Sequence, residues 1–149
     1  MNNVALALAV AIACCGGLAA DHDGTTEREI LAIERQGMDG WLRGDPDPTL
    51  EILDPEITYI HSVANQRLDG LASVRTLFEG YRGTPLFESY EIANPKVQAN
   101  GDSAVLTYVL VRHNGPTTTR WNATQVYLRK QEGWRIVHSH WSESKPPQP

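Results

Sequence analysis

The sequence predicts an α+β domain, in which a curved antiparallel sheet wraps around three N-terminal helices and encloses a pocket. Three observations predict it. Apolar residues recur at helical spacing as far as Tyr81, with one strand-like stretch between them. Beyond Gly83-Thr84-Pro85 the period changes from 3.6 to 2. Turn signals at Asn100-Gly101, Asn114-Gly115-Pro116 and Gln131-Glu132-Gly133 then divide the second half into an antiparallel meander. A chain of 149 residues has the length of one domain and buries a core without cross-links.

The first twenty residues read as a leader. Val4 to Cys15 is unbroken apolar or small, and no charged side chain precedes Asp21. That run is too short to span a bilayer but has the length of a signal-peptide core, and Ala19 and Ala20 suit cleavage. The mature chain is therefore expected to be exported, periplasmic or secreted. Ala11-Ile12-Ala13-Cys14 resembles a bacterial lipobox, so Cys14 is a candidate lipidation site and such an anchor the only expected membrane contact. Cys14 and Cys15 are the only cysteines, which leaves the mature domain no disulfide, thiolate metal site or cysteine nucleophile. A formal net charge of −5 and the lack of any basic run argue against nucleic acid as a partner.

Residues 21–25 read as a polar linker. Thr26-Glu27-Arg28-Glu29 has the form of a capping box and should open the first helix. Ile30, Ile33, Met38, Trp41 and Leu42 form its apolar stripe, with Glu34 among the polar positions, and Gly44 and Pro46 end it. Asp47-Pro48 should start a short helix over 49–53. Residues 57–62 alternate like a strand. Asp69 can cap a third helix with the stripe Leu71, Val74, Leu77, Phe78 and Tyr81. Residues 86–99 read as a strand with a kink or bulge at Pro95. Strands over 103–113, 119–130 and 134–143 follow, and 145–149 is a loose Pro-rich tail.

Strand alternation nominates the pocket. In the last strand it puts Trp134, Ile136, His138, His140 and Ser142 on one face, and Arg135, Val137, Ser139 and Trp141 on the other. Leu106, Tyr108, Leu110 and Arg112 share one face of the 103–113 strand. Both faces of that strand are apolar, so one should meet the helices and the other a second subunit. Either Asn122, Thr124 and Val126 or Trp121, Gln125 and Tyr127 align with the two histidines, according to the hairpin register; the first set is preferred. His138-x-His140 is the sharpest local feature, with rings about 7 Å apart along the strand. Such a pair suits proton transfer near neutral pH, hydrogen-bonded orientation of a ligand or core, or a metal if His61 or a carboxylate joined it. Tyr59 and His61 can line the same cavity. Arg112 and Arg120 suit a carboxylate ligand by bidentate pairing. No Ser-His-Asp arrangement, phosphate loop or dinucleotide fingerprint occurs.

GDSAVLTYVLVRHN (101–114) and TRWNATQVYLRKQEGWRIVHSHWS (119–142) resemble the SnoaL-like group of the nuclear transport factor 2 superfamily. They also resemble the association domain of calcium/calmodulin-dependent protein kinase II and its stand-alone bacterial relatives. WLRGDPDPTLEILDPEITYI and LDGLASVRTLF are similar to that family's first helices and strand and its third helix. The resemblance implies a cone-shaped, cystatin-like roll over 26–144 and a homodimer through the outer sheet face; proton-transfer chemistry in such a pocket would need no cofactor. It leaves several functions open, because the fold hosts isomerases, cyclases, dehydratases and non-catalytic assembly modules. Its isomerases and cyclases use a pocket Asp or Glu, and no inward strand position here carries one; Asp54, Glu56 and Glu143 lie at strand ends. The leading expectation is an exported domain that binds a small organic molecule through Tyr59, His61, Tyr108, Arg112, Arg120, Asn122, Thr124 and Ser142. The alternatives are an isomerase, cyclase or dehydratase with His140 or His138 as acid or base, and a homo-oligomerisation module.

Overall fold

The computed structural model describes residues 22–144, with side chains from Gly24 onward. The leader, Cys14 and the tail after Ser144 lie outside the described residues. Helix α1 (His22–Leu42) begins four residues before the expected capping box, so 22–25 is helical rather than linker. Arg28 Nη2 donates to Thr25 Oγ1 at 3.2 Å inside that first stretch. Ile30, Met38 and Trp41 form the buried stripe of α1. The chain leaves the helix through Gly44 at φ +70, where a Cβ would lie 2.6 Å from the Thr84 backbone nitrogen. Only glycine fits both conditions.

Helix α2 (Asp47–Leu50) starts earlier than expected, and Asp45 Oδ1 accepts the Asp47 N–H at 3.0 Å. Strand β1 (Leu53–Ile60) and the two-residue β2 (Leu68–Asp69) follow. Helix α3 (Leu71–Glu79) is preceded by Gly70 and has no side-chain cap. Asp69, expected there, is paired instead with the Arg67 guanidinium at 2.7 Å. Strands β3 (Ser89–Asn100), β4 (Ser103–Asn114), β5 (Thr117–Lys130) and β6 (Gly133–Glu143) make the meander.

The six strands form one curved, unclosed sheet in the order β2-β1-β6-β5-β4-β3. All pairs are antiparallel except β1 with β6, which run parallel. The fold is thus the expected α+β roll around N-terminal helices. Beside a register shift between Leu53 and Thr58 in β1, two bulges bend the sheet. One lies between Ala93 and Lys96, at the expected Pro95, with Asn94 at φ 50. The other sets Tyr127 opposite Ile136 but Val126 opposite His138, leaving Val137 as the extra residue. One apolar cluster on the concave side joins the elements, including Ile30, Leu50, Ile57, Phe78, Leu106, Tyr127 and Ile136. No helix among the described residues is long and apolar enough to cross a membrane.

Candidate functional site

The concave side of the sheet does not close completely on the helices. It leaves a cavity of about 180 Å³ between α1, α3 and strands β1, β4, β5 and β6. Trp41, Phe78, Leu110 and Ile136 make much of its wall. Eight polar side chains interrupt that wall: Glu34, Thr49, Tyr59, His61, Tyr81, Arg112, Gln125 and Ser139. The volume is below the roughly 300–1,000 Å³ usual for drug-sized ligands, so the cavity suits a compact molecule.

The Val137 bulge decides what β6 contributes. Without it, Trp134, Ile136, His138 and His140 would share one face. The inserted residue inverts the parity, so Trp134 and Ile136 face inward and are followed by Ser139 and Trp141. His138 and His140 turn outward. Thr124 and Asn122 do align with this strand end, opposite His140 and Ser142 as preferred from the sequence, but on the outer face. Gln125 and Trp121, from the other register set, line the cavity.

One side of the cavity wall carries a buried carboxyl. Glu34 is 2 % exposed, on the apolar stripe of α1. Its Oε1 accepts from Tyr108 Oη at 2.5 Å and from Gln125 Nε2 at 3.5 Å, and its Oε2 accepts from Tyr127 Oη at 2.6 Å. Burial raises the Glu34 pKa above the ordinary carboxyl value, and the hydrogen bonds from Tyr108, Tyr127 and Gln125 oppose that rise. Glu34 forms no salt bridge among the described residues.

Elsewhere the wall is aromatic with one cation. The Arg112 guanidinium lies 4.8 Å from the Trp121 ring centroid and donates from Nε to Thr119 Oγ1 at 3.3 Å. Burial lowers its pKa from the ordinary arginine value, and it too forms no salt bridge among the described residues. The His61 ring stacks on Trp121 at 4.7 Å and on Tyr59 at 6.0 Å. Burial, with the Arg112 charge adding to it, lowers His61 to about 4, so the ring is neutral at neutral pH. Burial also raises Tyr59 above the ordinary tyrosine range.

Three cavity-lining polar atoms are buried with no hydrogen-bond partner among the described residues: Thr49 Oγ1, Trp121 Nε1 and Gln125 Oε1. An unmet buried polar group costs about 1–3 kcal/mol, so three around one cavity is an arrangement a ligand would complete.

Of the residues nominated from sequence, Tyr59, His61 and Arg112 line this cavity. Tyr108 lies behind the wall, buried against Glu34. His138, His140, Asn122, Thr124 and Ser142 belong to the outer face, and Arg120 is exposed. The expected grouping of His138 and His140 with the pocket is corrected by the bulge. His138 Nδ1 sits 2.7 Å from Thr58 Oγ1 and ties β6 to β1. Its pKa is lowered by partial burial, then by His140 and Arg67. His61, which faces inward, cannot join those two at a common metal. Among the described residues no group of three or more His, Cys, Asp or Glu is placed to hold a metal ion. Trp141, expected on the outer face, lies in the cavity wall and donates from Nε1 to Ser139 Oγ at 2.9 Å.

Glu34 was missed because a glutamate in a helix reads as a solvated position. The signal was present: it stands four residues after Ile30 and four before Met38, inside the apolar stripe.

A sequence model of the calcium/calmodulin dependent protein kinase II association domain matches residues 26–145. No curated protein matches the sequence. Among solved structures, a candidate ketosteroid isomerase from Parabacteroides distasonis is 29% identical with a TM-score of 0.70, over 78% of this chain and 86% of that one. A nuclear transport factor 2-like protein of unknown function from Pseudomonas putida is 21% identical with a TM-score of 0.72, over 80% and 87%. The calcium/calmodulin-dependent protein kinase II hub of S. rosetta is 24% identical with a TM-score of 0.64, over 78% and 95%.

Proposed function

We propose, since the chain belongs to the calcium/calmodulin-dependent protein kinase II association domain family, that it is an exported domain binding one compact, mostly apolar molecule in its internal cavity. The ligand presents an anionic or carbonyl end to Arg112. The observation that carries this reading is the set of buried atoms without a hydrogen-bond partner among the described residues, Thr49 Oγ1, Trp121 Nε1 and Gln125 Oε1, around a mostly apolar wall. Arg112 adds a half-buried cation that forms no salt bridge among the described residues, beside Trp121. A ligand oxygen there would accept from both the guanidinium and the indole N–H.

Proton transfer by His138 or His140 has no support from this geometry, since both rings lie outside the cavity. Self-association is the second reading. The outer face carries the half-buried Val105, Val109, Val126 and Val137, and the similarity to an association domain favours contact through it. The two readings are compatible, because they use opposite faces of one sheet.

Native mass spectrometry of the protein, purified gently from the producing cell, tests both. The expected result is an oligomer that carries a discrete small-molecule mass, lost in Arg112→Met. A protein with no adduct, whose melting temperature no small carboxylate or carbonyl compound raises, would overturn the binding reading. A monomer at micromolar concentration would overturn self-association.

A further inference from the structure

The Glu34 end of the cavity has a chemistry opposite to that at Arg112. Glu34 and Gln125 are 2 % and 4 % exposed, and both line the cavity. Gln125 Nε2 donates to the Glu34 carboxyl, which fixes the amide orientation and leaves Gln125 Oε1 as the unpartnered acceptor. Among the described residues every hydrogen bond to the Glu34 carboxyl comes from a neutral group, two phenols and an amide. A buried carboxylate without a counter-charge is unfavourable, and a cation supplied from the cavity would relieve it. The vacant acceptor beside it calls for a hydrogen-bond donor. A protonated amine supplies both the charge and several N–H donors.

We propose that Glu34 and Gln125 form a subsite for the ammonium group of the ligand. With Arg112 and Trp121 taking the anionic end, the ligand class is a compact ω-amino acid with an apolar chain between its charges. Gln125 and Trp121 are four residues apart on one face of β5, about 13 Å along the strand. The two ends therefore recognise separate groups rather than one. This inference rests on the cavity reading above and adds the second charge.

The test is calorimetric titration of the full chain with 6-aminohexanoate and with heptanoate, which replaces the ammonium by a methyl group of similar size. Shorter and longer pairs of the same design cover the chain length. The amino acid of the best-fitting pair is expected to bind at least about tenfold more tightly than its isostere. Glu34→Gln should remove that preference and change the binding of the methyl-ended acid by less than about threefold. Gln125→Leu, which leaves both tyrosine bonds to Glu34 in place, should weaken the amino acid selectively and serves if Glu34→Gln folds poorly. If the methyl-ended acids bind as tightly as the amino acids, the ammonium subsite is overturned while the cavity reading stands. If no acid of either series binds, the ammonium subsite falls together with the anionic end at Arg112.

Discussion

Replacing Tyr127 by phenylalanine tests how the buried carboxyl is held. The ring of Tyr127 is fully buried, and its hydroxyl is the sole donor among the described residues to Glu34 Oε2, at 2.6 Å. Tyr127→Phe keeps the ring packing and removes only that donor. Glu34 is 2 % exposed, so water does not readily replace the lost bond. Leaving a buried acceptor without its donor costs about 1–3 kcal/mol, and the expected loss of stability is in that range. Tyr108→Phe should lose less, because Oε1 keeps a contact from Gln125 Nε2 at 3.5 Å. Equilibrium urea unfolding reads both as a lower midpoint at unchanged slope. A loss below about 0.5 kcal/mol for Tyr127→Phe, or a larger loss for Tyr108→Phe, would refute this account.

Three further outcomes follow from the same contacts. The Glu34 pKa is raised in the folded protein from an ordinary 4.5, so the native state holds that proton more tightly than the unfolded chain does. Wild-type stability relative to Glu34→Gln should therefore fall as pH rises from 4.5 through the raised folded value, and a flat or rising difference in urea titrations refutes the assignment. His140→Ala should change stability by less than about 0.5 kcal/mol and leave ligand affinity unaltered, since the ring is exposed on the outer face; loss of affinity in calorimetry would return His140 to the site. Gly44→Ala should cost more than about 2 kcal/mol, from the positive φ and the close Thr84 backbone; a thermal midpoint within a degree or so of wild type would contradict the strain.

Much of the architecture was legible in local pattern. The change of period after the third helix and the Asn100-Gly101 turn announce the meander, and Pro95, which cannot donate to a ladder, marks the first bulge. The residues of the resemblance cover the same strands. Tyr59, His61 and Arg112 were recognisable as polar groups on apolar strands that face the helices. Glu34 reads as a polar helix position although its spacing falls within the apolar stripe, because what makes its burial acceptable lies far away in the chain. The partners that make a buried carboxyl tolerable, Tyr108 and Tyr127, are 74 and 93 residues distant.

The second bulge was not legible at all. Alternation determines which residues share a face only while a strand is unbroken, and one inserted residue inverts everything beyond it. Nothing about Val137 itself, an ordinary strand residue, marks it as the insertion. The insertion is fixed by the pairing of β6 with β5 on one side and β1 on the other, where Thr58 meets His138 and Tyr59 meets Ser139. The sequence by itself thus determined the fold class, the meander and a polar-lined concavity, because turn chemistry and side-chain period are local. Which polar groups enter that concavity, Ser139 and Trp141 instead of His138 and His140, was decided only by the tertiary structure, because strand register is a property of neighbours distant in the chain.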